Sequence, residues 1–463
     1  MAGGIFMSEK INDIYNNIST LLNERKFNTL RDIIIEMNEV DIAELIDEAT
    51  PEQEVIIFRL LPKQLAAEAF AYMDSDTKTR LVEVLADKEL RLVMQELFVD
   101  DVAAMLEEMP ASVVKKMLKA TSPEDRREIN QILQYPEDSA GSVLTTECIR
   151  LRATVTVKEA FEYIRKYGPD KETIYTCYVT DDNRHLQGVL TVKDLLLAKY
   201  EDIVGDLMET NVISAHTTDD REEVVKIFTK YDFTALPVVD SENRLVGIIT
   251  VDDIVDVIEQ ETTEDIEKMA AIVPGDKPYL KTGIFETVKM RIPWLVLLMF
   301  LATFTGMIIT SFENALAGSI ALTAFIPMIM NTGGNSGSQS SVAIIRSLAL
   351  GDIEFKDIGK IILKESGVSL ICGILLAAAN FIKILLIDNM LLGSDISTAV
   401  AFVVCVTLLL TVVAAKIIGC TLPLFAKLAR LDPAVMASPF ITTIVDAISL
   451  FVYFQIASVI LGV

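Results

Sequence analysis

Five long apolar runs crowd the C-terminal part of this chain, and they limit its fold more than any other feature. A membrane-spanning helix needs about 20 mostly apolar residues to cross ~30 Å of hydrocarbon. Runs at about 292–312, 315–347, 361–387, 397–427 and 433–461 meet that length. Folded as a soluble core they would leave little polar surface, so five spans are expected. The connections alternate in charge. Lys277, Lys281, Lys289 and Arg291 precede the first run, Arg346, Lys356, Lys360 and Lys364 follow the second, and Lys427 and Arg430 follow the fourth. The other two connections carry Glu313 in one, and Asp388 and Asp395 in the other, with no Lys or Arg. Because basic loops stay in the cytoplasm, the N-terminus is expected inside and Val463 outside.

Charge divides the chain at the same place. Its 463 residues hold 66 acidic and 41 basic side chains, a net charge of −25. From Met290 onward nine basic residues balance nine acidic ones, so the whole excess lies in the preceding part. So acidic a surface argues against nucleic acid as a partner and favours bound cations. Two histidines leave no material for a His-rich zinc site and little for a triad hydrolase. Five cysteines without CxxC spacing suggest a reducing compartment and no disulfide framework. No phosphate loop of the GxxxxGK[ST] kind is present, and a conventional enzyme is not expected. The start lacks a signal-peptide pattern, and Met7 is a second candidate start.

Polar residues inside the apolar runs carry the functional information, since an intramembrane charge costs at least ~2.5 kcal/mol. Asp446 lies thirteen residues after Pro433, about 20 Å along a continuous helix. Thr442, Thr443 and Ser449 share its face at spacings of three and four, the stripe a water-filled path would need. A packing aspartate bonded to a neighbouring helix is the alternative. The second run contains Met330-Asn-Thr-Gly-Gly-Asn-Ser-Gly-Ser-Gln-Ser-Ser341. Loosened backbone at this depth is tolerated only beside protein or water, and small residues equally let helices approach closely. The amides Asn331, Asn335 and Gln339 favour a polar lining.

In the acidic part, residues 146–256 contain a duplication. Gly188-Val-Leu-Thr-Val-Lys-Asp is repeated as Gly247-Ile-Ile-Thr-Val-Asp-Asp, fifty-nine positions later. Each copy follows a β-rich run and a turn and has an amphipathic helix upstream, predicting two small α/β modules about a pseudo-twofold axis. The paired GhhTxxD elements resemble a tandem of cystathionine-β-synthase (CBS) domains, which bind adenine nucleotides. The resemblance implies that Thr191 and Asp194 hold phosphate and ribose and that Phe233 lines the adenine pocket, with Thr250 and Asp253 equivalent in the second repeat. A CBS pair that senses without nucleotide, or only joins a dimer, is the alternative. Residues 8–140 read as helices alone, with turn signals such as Thr50-Pro51 and Met109-Pro110, and suggest a short α-solenoid. The segment 252–267 holds eight carboxylates and no basic residue. On one helix, Asp252, Asp256 and Glu259 form one like-charged group and Glu261, Glu264 and Asp265 another, which is destabilising unless divalent cations bind there.

Taken with the motifs PMIMNTGGNSGSQS (327–340) and DPAVMASPFITTIVD (432–446), this order of domains resembles the MgtE family of magnesium channels. The implied fold is a multidomain membrane protein: an all-α solenoid-like domain (8–140), an α/β tandem CBS domain (141–256), an acidic connecting or plug helix and linker (257–290), and an all-α transmembrane domain of five helices (291–463). The resemblance implies a homodimer in the plasma membrane of a prokaryote, with Mg²⁺ and lipid as partners, an adenine nucleotide such as ATP as a further ligand, and no nucleic acid. Asp446 is then the pore aspartate that binds hydrated Mg²⁺, Asp432 a ligand at the inner mouth, and Asn335 and Thr442 further pore residues. Regulatory metal sites are implied at Asp100, Asp101, Glu222, Asp232, Asp253, Asp256, Glu261, Glu264 and Asp265. Ser438 and Lys193 depart from the family pattern, standing where relatives have Asn and Arg. The expected function is passive Mg²⁺ influx closed by cytosolic Mg²⁺. A coupled secondary transporter of divalent metal, with nucleotide regulation through the CBS pair, would also want intramembrane carboxylates and glycine-broken helices.

Overall fold

The computed structural model describes residues 18, 20–22, 24–275, 279–312, 320–394, 396–436 and 438–462. Lys277, Glu313, Asp395 and Val463 therefore lie outside the described residues. The chain falls into two compact units, Met1–Ile258 and Glu259–Val463.

Among the described residues the first unit has nine short helices of defined bounds ahead of its sheets, α1–α9: Phe27–Ile34, Glu39–Asp47, Pro51–Leu60, Lys63–Tyr72, Ser75–Val84, Asp87–Met94, Val99–Glu108, Ala111–Ala120 and Asp125–Ile132. Each runs two to three turns, and prolines or a capping side chain mark the start of several, as at Asn38, Pro51, Pro62 and Pro110. Pro51 occupies the first turn of α3, where its missing N–H costs nothing, while Gln53 Oε1 accepts from the Thr50 N–H at 3.2 Å. Most helices pack on the one two places ahead (α2 on α4, α3 on α5, α4 on α6, α6 on α8, α7 on α9), which is the stacked arrangement the solenoid reading predicted. Apolar residues at helical spacing, such as Ile42, Leu45 and Ile46 on α2 and Val102, Met105 and Leu106 on α7, merge into one core. The buried Glu54 binds Arg80 at 2.6 Å and ties α3 to α5.

The duplicated region folds twice into the same three-stranded sheet. In the first copy β1 (Cys148–Leu151) runs parallel to β2 (Thr173–Thr180), which pairs antiparallel with β3 (Leu186–Thr191). In the second, β4 (Ala215–His216), β5 (Ala235–Val239) and β6 (Leu245–Thr250) repeat that order. Helices α10 (Val157–Tyr167) and α13 (Arg221–Tyr231) make the crossovers. The two sheets meet about the expected pseudo-twofold axis. Leu186 N–H donates to Asn243 O at 3.1 Å and Leu245 N–H to Arg184 O at 2.8 Å, a reciprocal pair between positions fifty-nine apart. The motif glycines have a specific reason: a Cβ on Gly188 would lie 2.6 Å from Met208 Sδ, and one on Gly247 3.0 Å from the Thr145 carbonyl carbon. A neighbouring segment bridges to the strand at each place, Glu209 to Val189 and Thr145 to Ile248. Between these copies lie α11 (Val192–Leu197) and α12 (Val204–Leu207). Helix α14 (Val251–Met269) follows β6 and carries the chain out of this unit.

The second unit has long helices: α15 (Ile284–Ser311), a short α16 (Ile320–Thr323), α17 (Ile326–Ala349), α18 (Ile358–Lys383), α19 (Thr398–Leu428) and α20 (Ser438–Leu461). Four segments, Ile284–Ser311, Phe355–Leu391, Thr398–Leu428 and Pro433–Leu461, are long and apolar enough to cross a membrane. With 24 residues α17 is long enough too, at ~36 Å, but its glycines, amides and hydroxyls dilute its hydropathy. Helix α19 is the most enclosed of these four segments and packs against α17, α18 and α20.

Several local expectations are corrected here. The second span does not run unbroken from residue 315; α16 and α17 are separate, and the loosened backbone expected in the glycine motif is continuous helix. Its glycines are there for packing. Gly333 faces Thr411, Val445 and Ser449, Gly334 faces Thr442, and Gly337 meets Ile441 and Gly419. The last span is not one helix from Pro433: a 3₁₀ turn (Pro433–Met436) precedes α20. Asp446 is thus eight residues into its helix, ~12 Å from the start rather than ~20 Å. Asp388 belongs not to a loop but to a π-helical extension, Ile384–Leu391, where it is buried and pairs with Lys383 at 2.9 Å.

Candidate cation path and regulatory carboxylates

Glycine packing turns α17 so that its other face carries the amides. Asn331, Asn335 and Gln339, four residues apart, are all exposed, and Asn335 Nδ2 donates to Asn331 Oδ1 at 3.2 Å. Asp446 on α20 is half-exposed and makes no ion pair among the described residues. The polar stripe expected around it is only partly realised. Ser449 is buried and turns toward Gly333, and Thr442 and Thr443 both donate to Pro439 O at 2.9 Å. The methyl carbon of Thr442 sits over Gly334, so this residue fits helix packing first and leaves only an oxygen lone pair for a hydrated ion.

Within the second unit, the part of α14 from Glu259 onward packs near the end of α17. Met269 packs with Ile345 and Ala434. Lys268 binds Asp432 at 2.7 Å and also pairs with Glu264, one turn before it. Asp432 in turn accepts from the Ala434 N–H at 2.8 Å. Burial opposes the Lys268 charge, but hydrogen bonds to Asp432 and Glu264 outweigh it and hold the ammonium above the ordinary lysine range. Burial, then the neighbouring Asp432, raises Asp265. Asp432, expected at the inner mouth, and Glu264 and Asp265, expected as regulatory ligands on the connecting helix, are therefore gathered around a lysine of the same chain. Glu261 adds to the repulsion on Asp265.

A second acidic group lies within the first unit. Asp100 and Asp101 at the start of α7, Asp253 at the start of α14 and Glu172 beside β2 all have raised pKa values, with Asp252 and Glu147 among the charges that repel them. Burial is the largest cause at each. It pushes Glu172 up to about 7, with Asp253 the next contributor, and Asp253 up to about 6 against the Thr250 hydrogen bond. Asp100 stands well above the usual carboxylate range, and its buried Oδ1 has no hydrogen-bond partner among the described residues. Glu172 and Glu147 were not anticipated. They are distant from α7 and α14 in sequence and enter through the fold, Glu172 N–H donating to Glu147 O at 3.0 Å. Among the described residues, no three His, Cys, Asp or Glu side chains converge closely enough to cage a metal directly. Mg²⁺ keeps several of its waters when bound, so such a group suits it through water rather than as a closed cage.

Other expected sites separate. Glu222 and Asp232 sit at opposite ends of α13, ten residues or ~15 Å apart, and cannot share one ion within a single chain. Asp256 lies on α14 beyond the 252–253 pair. Thr191 and Asp194 form a capping box, Thr191 Oγ1 donating to Asp194 Oδ2 at 2.6 Å, and this bond holds the Asp194 carboxyl low. Both remain exposed. Phe233 stacks on Tyr231, with ring centroids 5.6 Å apart.

A helical acidic domain, a duplicated α/β module and a helical region with long apolar helices define a multi-pass membrane protein. Family profiles agree segment by segment: "MgtE intracellular N domain" at residues 37–138, "CBS domain" at 140–201 and 204–260, and "Divalent cation transporter" at 326–456. The magnesium transporter MgtE of Thermus thermophilus is 35% identical over 449 residues, 96% of this chain and 98% of that protein. Its counterpart from Bacillus subtilis is 34% identical over 435 residues, 90% and 93% of the two chains. A crystal structure of the cytosolic domain of the Mg²⁺ channel MgtE in complex with ATP is 36% identical, with a TM-score of 0.50, covering 52% of this chain and 99% of that one. The soluble part of a magnesium transporter matches at 27% identity and a TM-score of 0.51, covering 54% and 99%. The chain belongs to the MgtE family of magnesium transporters.

Proposed function

We propose that this protein is a Mg²⁺-selective channel that admits Mg²⁺ down its electrochemical gradient and is closed by cytosolic Mg²⁺. The observation that carries the reading is Asp446, an unpaired carboxylate about a third of the way along an apolar helix, beside a helix whose outward face is amides. Mg²⁺ loses water reluctantly, so a carboxylate and amides that accept hydrogen bonds from its water shell spare it dehydration. In one chain this face is open. A second copy related by a twofold axis would supply the opposite wall and a second Asp446, which supports a homodimer. The basic connections favour a cytoplasmic N-terminus and an external C-terminus.

Feedback follows from the raised carboxylates. Without Mg²⁺, Asp100, Asp101, Glu172, Asp252 and Asp253 repel and drive α7 from α14. With Mg²⁺ bound, the group compacts and holds α14, whose far end contacts Asp432, in its closing position. The ion must bind the closed arrangement more tightly, or it would shift nothing. The exposed Thr191 and Asp194, with Phe233, are the proposed adenine nucleotide site, with ATP adjusting the feedback range; Glu222 and Asp232 are proposed to bind Mg²⁺ with carboxylates from another surface. The test is Mg²⁺ flux through full-length protein in liposomes, with Asp253, Asp256 and Asp265 changed together to Asn. Half-inhibition should move to higher internal Mg²⁺, and unchanged inhibition would exclude these residues from feedback.

A further inference from the structure

Lys416 is a charge in a place that apolar packing alone would fill better. It is 6% exposed on α19, with Val412, Ala415 and Cys420 buried around it. A lysine at the centre of an apolar helix costs roughly 2.5–3.5 kcal/mol. Its Nζ lies 3.3 Å from Ser340 Oγ on α17, and that hydroxyl lies 2.7 Å from Glu365 Oε2 on α18. Among the described residues Lys416 and Glu365 form no direct ion pair, so one serine hydroxyl stands between the two charges. It can serve both in only one orientation, donating its proton to the carboxylate and offering a lone pair to the ammonium.

We infer that Lys416, linked through Ser340 to Glu365, is a positioning residue that fixes the rotation of α17 and thereby sets which cations the path accepts. Glycine packing turns the same face of α17 inward, and the clamp adds a directed polar bond to it. Gly337 and Gly419, each three residues from the clamp, touch backbone to backbone: a Cβ on Gly419 would lie 2.9 Å from the Gly337 carbonyl carbon. At that crossing no side-chain ridges interlock, so the polar clamp three residues away is the directed contact between α17 and α19 there. Ser340, 2% exposed, is held inward. Gln339 precedes it by one residue, about 100° around the helix, so this clamp keeps Gln339, Asn335 and Asn331 on the outer face. A rotation of about 20° would carry an amide at ~6 Å from the axis through ~2 Å, as large as a metal–oxygen bond.

The inference rests on the amide face lining the path, and the experiment separates the two claims. Full-length protein in liposomes is assayed for the Ca²⁺ concentration that halves Mg²⁺ uptake. Three variants are compared: Ser340→Ala, the pair Lys416→Met with Glu365→Gln, and Asn335→Ala as the control on the path. The double variant removes both charges together and leaves neither orphaned, and replacing compensating enclosed charges by uncharged groups is commonly neutral for stability, so it should fold even where Ser340→Ala does not. Both clamp variants should lower that Ca²⁺ concentration about tenfold, equivalent to ~1.4 kcal/mol, with the double variant melting near the parent. If Asn335→Ala shifts selectivity while a folded double variant does not, the clamp only braces the helices and the inference fails. If none of the three shifts it, the path reading fails and the inference with it.

Discussion

Glu172 gives the carboxylate cluster a measurable signature. Its pKa of about 7 means that the Mg²⁺-free packed state carries its proton near neutrality. Raised carboxylates stabilise the packed arrangement fully only below their unfolded value near 4, and that contribution is lost as pH rises through about 6 for Asp253 and about 7 for Glu172. A dication among them must displace those protons. At pH 6.5 a group of pKa 7 is ~76% protonated and at pH 8 ~9%. Mg²⁺ binding to full-length protein should therefore release about 0.75 proton more per chain from the parent than from Glu172→Gln at pH 6.5, and under ~0.1 more at pH 8. Calorimetric titrations in buffers of different ionisation enthalpy read this difference directly. Equal proton release by the two proteins at pH 6.5 would mean that Mg²⁺ does not bind beside Glu172, and the feedback mechanism would lose its first-unit site.

Two other substitutions test the membrane unit. Gly419→Ala inserts a methyl group 2.9 Å from the Gly337 carbonyl carbon and closer to its oxygen, where ordinary contact is about 3.5 Å. The variant should lose ~1–3 kcal/mol in denaturation of the purified protein, and parental stability would contradict the backbone contact. Lys268→Gln removes the ammonium that ties α14 to Asp432 at 2.7 Å; its partly exposed ion pairs are worth up to ~1 kcal/mol. Uptake into liposomes free of internal Mg²⁺ should rise by as much as about fivefold, whereas unchanged uptake would remove this pair from closure.

Much of the architecture was legible because a few strong patterns have one physical solution. Twenty-residue apolar runs form long helices, and a GhhTxxD repeat fifty-nine residues apart forms two equivalent sheets. The errors arose where tertiary contact decides. Nothing local tells that the glycines of 333–337 serve helix crossings while the amides at 331, 335 and 339 face outward; the four-residue amide spacing was the available signal. The helix break before Ser438 was masked by apolar neighbours that continue the run. Asp388 looked like a loop charge because its partner, Lys383, was counted with the preceding span. Glu172 could not be found from spacing, since parallel pairing of β1 with β2 brings it to Glu147. Lys416 was visible as a basic residue in an apolar run, but its link through Ser340 to Glu365 spans three helices and required the fold.

Uptake of Mg²⁺ by liposomes containing Asp446→Asn protein, compared with the parent at zero internal Mg²⁺, addresses the central claim most directly. Asparagine keeps the shape and removes the charge, so the fold should survive while the attraction for a hydrated dication is lost. The account predicts at least a tenfold fall, ~1.4 kcal/mol or more, with unaltered melting. Parental uptake by the folded variant would contradict it.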